Sequence, residues 1–222
     1  MTAARPLALD LFCCAGGASV GLHRAGFDVI GVDLHKQPRY PFPFVQGDAT
    51  KPPLDLARFD FIWASPPCQK YSIAAANNRR DGTQYPDLVA PVRDMLKASG
   101  RPWTIENVPG APVRPDLVLC GSHFGLPIAR HRLFELSWFM LDAPICRHAR
   151  DLITVCGHGT PSWARKARIA KGLHPNFSVA IKRAAMGCDW MNRAELSQSI
   201  PPAYAEFIGR AALEHINERL AA

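Results

Sequence analysis

The run Phe59-Asp60-Phe61-Ile62-Trp63-Ala64 is cut off by Ser65-Pro66-Pro67-Cys68-Gln69. An apolar run bounded by a double proline reads as a buried strand with a forced stop. Each proline fixes φ and removes an N–H, so the backbone after Ala64 is rigid and cannot extend a sheet ladder. The residue delivered at that stop is Cys68. Open α/β sheets bind ligands beyond the carboxyl ends of their strands. A thiol at such a place is either a small buried hydrophobe, as most free cysteines are, or a nucleophile. The two prolines hold Cys68 still, and Gln69, Lys70 and Ser72 make its surroundings polar. The nucleophile is the better reading.

Other strand ends repeat the pattern. Leu7-Ala8-Leu9-Asp10-Leu11-Phe12 is a short apolar strand that runs into Cys13-Cys14-Ala15-Gly16-Gly17 and a helical stretch from Ala18 to Ala25, closed by Gly26. Strand, glycine turn and helix open a nucleotide-binding βαβ unit, although a purely structural tight turn fits the same residues. Paired glycines at a helix N-terminus let a ligand approach the backbone closely. Val29 to Val32 is a second strand ending in Asp33, and Phe44-Val45-Gln46-Gly47-Asp48 a third with an acid at its tip. Two acids placed this way after a glycine turn suit an adenosine pocket. Gln69 to Tyr85 is polar and aperiodic, which predicts a mobile lid carrying Arg79 and Arg80 for phosphates. Asp87 to Ser99 reads as a helix. Trp103-Thr104-Ile105 delivers Glu106-Asn107-Val108, so Glu106 should share the crevice with Cys68. Ile128 to Leu136 reads as a strand on which Arg130 and Arg132 share a face. Helices are predicted over 179–186 and 202–220, the latter with Tyr204, Phe207, Ile208, Ala211 and Ile216 inward.

Composition matters mainly through charge. The 222 residues are 48% apolar and carry a net +7. Between Arg147 and Arg183 stand eight basic residues (Arg147, Arg150, Arg165, Lys166, Arg168, Lys171, Lys182 and Arg183) against one acid, Asp151. The whole excess therefore sits in one segment, which also holds Trp163, His148, His158 and His174. Such a block suggests a polyanionic partner, with nucleic acid first. Seven irregularly spaced cysteines do not make a disulfide scaffold, and no apolar run is long enough to span a bilayer. Reduced thiols and a cytoplasmic protein are expected, in a bacterial or phage-infected cell and nucleoid-associated through DNA.

The glycine turn, Pro66-Pro67-Cys68-Gln69, Glu106-Asn107-Val108 and Arg130-His131-Arg132, in this order, resemble the carbon-5 cytosine DNA methyltransferases. The similarity covers nearly the whole chain and is to a compact, phage-like member. It implies an α/β, Rossmann-like S-adenosylmethionine-dependent methyltransferase fold with a small irregular basic insert. Residues 1–136 would form the catalytic and cofactor-binding core, 137–176 a reduced target-recognition segment, and 177–222 the C-terminal helices. It implies S-adenosyl-L-methionine as cofactor and double-stranded DNA as partner of a monomer, with no membrane. Cys68 matches the nucleophile that adds to carbon 6 of a flipped cytosine. Glu106 matches the acid on ring nitrogen 3, and Arg130 with Arg132 the pair that holds base, glutamate and phosphate. The cofactor would lie against Phe12, with Ala15, Gly16 and Gly17 near its methionine portion. Asp33 and Leu34 would take the ribose side, Asp48 and Ala49 the adenine side, with Pro67 and Gln198 completing the pocket. Gln69, Ser72, Arg79, Arg80, Asn107, Arg165 and Lys166 would face the substrate, Asn107 chiefly as a turn former. Cationic arginines would favour the Cys68 thiolate.

The sequence also departs from that family. Cys14 replaces the first glycine of the cofactor turn, Ile128 a glutamine and Gln198 an asparagine. The stretch from Val108 to Arg130 is short by a helix or strand, and only about forty residues, 137–176, stand where a large recognition domain is usual. RNA as substrate, or a silent DNA-binding relative, are the alternative readings. Cys146-x-His148 and Cys156-x-His158 are four zinc-type ligands, but single-residue spacings are awkward for one tetrahedral site. Loop residues contacting DNA are the preferred reading, with no metal expected.

Overall fold

The computed structural model describes residues 4–72, 75–140, 145–148, 152–155, 162–172 and 176–221. Cys156, His158 and His174 lie outside the described residues. One seven-stranded sheet organises the chain, in the order β3-β2-β1-β4-β5-β7-β6. Its strands are β1 (Leu7–Leu11), β2 (Asp28–Asp33), β3 (Phe44–Gln46), β4 (Phe61–Ala64), β5 (Trp103–Asn107), β6 (Leu117–Leu119) and β7 (Arg132–Leu136). All pairings from β3 to β5 are parallel, whereas β7 runs antiparallel to both β5 and β6. The chain reverses direction across the sheet at β1, with β2 and β3 on one side and β4 and β5 on the other. That reversal creates a crevice above the carboxyl ends.

The central strands are apolar because both faces are covered. Leu9, Leu11, Ile62, Ala64 and Ile105 are buried against α3 (Val89–Ala98), through Val89, Val92 and Leu96. Ala8, Phe61 and Trp63 face α1 (Gly17–Ala25) and the long α7 (Pro202–Ala221). Helices α1 and α7 press together at small residues. A Cβ on Gly21 would lie 2.2 Å from the Pro202 carbonyl oxygen, and one on Gly209 2.8 Å from Ala25 Cβ. The inward stripe of α7 is Tyr204, Ala205, Ile208, Gly209, Ala212 and Ile216, so Ala212 takes the place expected for Ala211. Fully burying Leu22 and Ile208 in that seam contributes about 1.5–3 kcal/mol each.

Four expectations about elements change. The lid region contains a short helix, α2 (Ala76–Arg80), and the basic segment contains α4 (Ser162–Ala170), so neither is wholly irregular. A further helix, α6 (Arg193–Gln198), is closed by a reciprocal cap between Asn192 and Glu195, and α5 (Val179–Met186) precedes it. Strand β7 begins at Arg132, and Arg130 precedes it. Strand β5 reaches β6 through a turn without a helix.

Candidate active site

Four strand ends and the C-terminal α6–α7 connection enclose one cavity of about 1070 Å³. A drug-sized ligand site is about 300–1,000 Å³, so the space admits a cofactor and a base together. Phe12, Gly17, Asp33, Leu34, Asp48 and Ala49 line one part of it, with Gln198 across from them. Pro67, Cys68, Gln69, Ser72, Glu106 and Arg132 line the other.

The Cys68 end is built by the prolines as the sequence suggests, but with ties that the sequence hides. The Asn107 amide donates to the Pro66 carbonyl at 3.0 Å, and its own oxygen accepts from Val108 N at 2.9 Å. Asn107 is thus buried behind the cavity wall, fastening the Cys68 loop to β5. Arg79 is not held out for phosphates. Its Nη1 donates to the carbonyls of Gln69 at 2.6 Å and Ser72 at 2.8 Å, which fixes the turn after Cys68. Arg80 is exposed on α2 and outside the cavity wall. Arg165 and Lys166 are exposed on α4.

Glu106 is buried and paired with Arg132, whose Nε lies 2.9 Å from Oε1. Burial raises the carboxyl above its ordinary value and outweighs the lowering by Arg132, Ser65 and Arg130. Ser65, which sequence reasoning passed over, also accepts from Trp63 Nε1 at 2.9 Å. Burial likewise raises the Cys68 thiol, and the Glu106 charge adds to this. Arg132 and Arg130 pull it down less than these two push it up. The arginines thus favour the thiolate as expected, but burial and the Glu106 charge outweigh them. Arg130 is buried off the cavity wall, donating from Nη2 to the Ser197 carbonyl at 2.7 Å, and its own carbonyl accepts from Tyr204 Oη at 2.7 Å. It ties the arginine motif to α6 and α7.

The end around Phe12, Asp33 and Asp48 is strained and acidic. Phe12 and Cys14 adopt positive φ of 60° and 44°, a region where glycine alone is unstrained. Cys14 thus sits where a glycine would be at ease, and its amide donates to Asp33 Oδ2 at 3.0 Å. His35 N donates to the other Asp33 oxygen at 3.0 Å. Gly16 and Ala15 do not line the cavity. Gly16 caps α1 at φ 84°, and Ala15 is buried with its carbonyl accepting from Trp190 Nε1 at 2.7 Å. The glycine pair is needed for packing: a Cβ at Gly17 would fall 2.0 Å from Ser199 Oγ.

Asp10 carries no motif and was missed. It is buried at the carboxyl half of β1, takes a hydrogen bond from Ser19, and lines the cavity. Burial pushes its carboxyl up to about 7. Its Oδ1, like Gln69 Oε1, is a buried acceptor without a hydrogen-bond partner among the described residues. The orphaned Asp10 acceptor fits a ligand that brings a donor, such as an ammonium or hydroxyl group of an adenosyl-amino acid, and the Gln69 acceptor, at the Cys68 end, is left for a second ligand.

The seven-stranded sheet and the crevice above it have the Rossmann-like α/β architecture of the methyltransferase fold. Residues 8–112 match the family model of the C-5 cytosine-specific DNA methylases. It is 27% identical over 191 residues to the Type II methyltransferase M.HgiDI of Herpetosiphon aurantiacus, covering 78% of this chain and 59% of that protein. The chain thus spans less than two thirds of that relative. Two solved structures share the fold, each covering 96% of this chain and 99% of theirs. One is a prophage-encoded E. coli protein described as a DNA modification methyltransferase, with a TM-score of 0.63 at 16% identity. The other is the S. pombe Dnmt2 methyltransferase, at 0.57 and 11%.

Proposed function

We propose that the chain is a DNA (cytosine-5-)-methyltransferase acting on a cytosine flipped out of duplex DNA. The observation that carries this is the meeting of Cys68, Glu106 and Arg132 on one wall of a cavity whose opposite part holds Asp10, Asp33 and Asp48. A stacked base cannot offer carbon 6 to a thiol on one side and carbon 5 to a donor on the other, so the base must leave the helix.

Asp10, Asp33, Asp48 and Gln198 would hold S-adenosylmethionine, with Phe12 and Leu34 against its apolar surface. When bound, that cofactor supplies an electrophilic sulfonium methyl group. The Cys68 thiolate adds to carbon 6, forming an S–C bond and pushing electrons toward ring nitrogen 3. Protonated Glu106 gives its proton to that nitrogen, a task its burial suits. Carbon 5, made nucleophilic in this way, would be the atom that takes the methyl group when the cofactor is bound. Loss of the carbon-5 proton to water or hydroxide, expulsion of the Cys68 thiolate and return of the nitrogen-3 proton to Glu106 restore the aromatic ring and the starting enzyme. Arg132 balances the glutamate charge as the proton leaves, and Gln69 faces the base with an unused acceptor. The basic α4 would contribute phosphate contacts through Arg165 and Lys166, favouring a short recognition sequence.

Incubation with S-adenosylmethionine and duplex DNA containing 5-fluorocytosine should trap a covalent adduct, because fluorine cannot leave as the proton does. Cys68→Ala should abolish it while remaining folded. An adduct with RNA alone would move the substrate class, and none with either polymer, while cofactor still binds, rejects the enzymatic reading.

A further inference from the structure

Away from the cavity, a second group of reactive side chains converges where β6 ends and β7 begins. Cys120 follows β6 and is buried; His131 stands between the two arginines, one residue before β7; Cys146 and His148 come from the start of the basic segment. The four candidate donor atoms all lie within 4.8 Å of one another. Cys120 Sγ is 3.2 Å from His148 Nε2, and Cys146 Sγ is 3.4 Å from His131 Nε2. A tetrahedral zinc with bonds of about 2.3 Å to sulfur and about 2.0–2.1 Å to nitrogen puts neighbouring ligand atoms about 3.3–3.8 Å apart. The Cys146–His131 edge falls in that range, and the Cys120–His148 edge, at 3.2 Å, lies just below it.

We infer that Cys120, His131, Cys146 and His148 bind a structural zinc ion that clips the basic segment to the arginine motif. Two thiolates and two neutral imidazoles are the donor set that selects zinc over the harder divalent ions. Metal entry releases two thiol protons and leaves a neutral centre, so the clip adds no charge beside Arg130 and Arg132. The surroundings support the ligands. Ser122 Oγ donates to Cys120 Sγ at 3.4 Å and accepts from Arg147 N at 3.2 Å, holding 145–148 to the turn after β6. His123 Nε2 lies 3.3 Å from Cys146 Sγ as a neighbour outside the four. The site serves a purpose that packing cannot: Ile145, Arg147 and His148 are all exposed, so residues 145–148 have little apolar surface to bury. Among the described residues, Cys146 and His148 meet Cys120 and His131, a grouping that the C-x-H spacing alone does not suggest.

The full-length chain purified from zinc-supplemented medium should carry one zinc per chain by plasma mass spectrometry. Cobalt exchanged into it should give the intense visible bands of a tetrahedral sulfur-ligated ion. Cys146→Ser and His148→Ala should each lose the metal and lower the melting temperature, and Cys156→Ser should keep both. Circular dichroism would verify that the variants fold, and Cys120→Ser serves as a further test should one of them fail. No stoichiometric zinc and no cobalt uptake in folded protein, a Cys120–Cys146 disulfide in freshly prepared protein, or metal lost on Cys156→Ser and retained on Cys146→Ser would each overturn the assignment. None of these readouts depends on methyl transfer.

Discussion

At the scale of single residues, Glu106 has two opposed effects on the reaction. Its carboxylate raises the Cys68 thiol, yet its proton is needed by the base. Glu106→Gln should therefore shift the pH midpoint of Cys68 alkylation downward, because the neighbouring negative charge is gone and Arg132 acts unopposed. In the same variant, methyl transfer should fall about 10²–10⁴-fold. A thiol midpoint that stays put or rises would break the coupling argued here. Asp10 gives a stability prediction. Its folded carboxyl is raised from 3.8 to about 7, so its contribution is fully present below the ordinary carboxyl range and lost as pH rises through about 7. Asp10→Asn, unable to ionise, should gain stability over the parent by a few kcal/mol, roughly, at pH 8 relative to pH 4, with weaker cofactor binding. Urea denaturation at the two pH values measures this, and an unchanged pH slope would contradict it. Cys68 and Glu106 were legible because each ends an apolar run at a forced turn. Asp10 was not, since one acid inside a strand looks the same whether it faces water or a ligand. Arg79 misled for a related reason: sequence shows a cation, and only the fold shows that two carbonyls already use it.

Among the elements, the glycine turn shows how a motif can serve packing and binding together. Gly17 opens α1 directly under the chain between α6 and α7, where a side chain would meet Ser199 Oγ at 2.0 Å and the Ile200 carbonyl at 2.6 Å. Gly17→Ala should cost about 1–3 kcal/mol and weaken cofactor binding together with stability, because the displaced residues include the neighbours of Gln198. Chemical denaturation paired with cofactor titration tests this; intact stability with lost binding would make the glycine purely a ligand contact. The strands and the two longest helices were readable from apolar runs and period. Helices α2, α4 and α6 were not. They are short or polar, and α4 lies in a stretch too basic to show a clear stripe. The eight-cation block was also only partly a surface. Lys182 is buried with Nζ 3.4 Å from the Val155 carbonyl, Arg183 donates to Met191 O at 2.6 Å, and Arg168 lies 4.2 Å over the Phe177 ring.

For the whole molecule, the consequence is that fewer cations are left to meet a polyanion than the net charge suggests. If Arg165 and Lys166 each contact a phosphate, replacing both with Gln should flatten the slope of log affinity against log salt by about 1.8. An unchanged slope would place the DNA on another face. No helix among the described residues is long and apolar enough to cross a membrane. The crevice was legible because strand ends converge in any open sheet, whereas the Cys120–His131 meeting depends on how the β6–β7 hairpin folds back. That hairpin sets one more condition, on rebuilding the molecule. Because β7 runs against its neighbours, its entrance shares the catalytic end of the sheet and its exit does not. At the exit, Ser137 N bonds to the carbonyl of Trp103, the first residue of β5. By Cys146 the chain is already back beside His131. A foreign recognition module spliced directly after Leu136 would hang from the far side of the sheet, out of reach of any base at Cys68. One grafted beyond His148 would start on the correct face, and would inherit the anchor that holds the segment there.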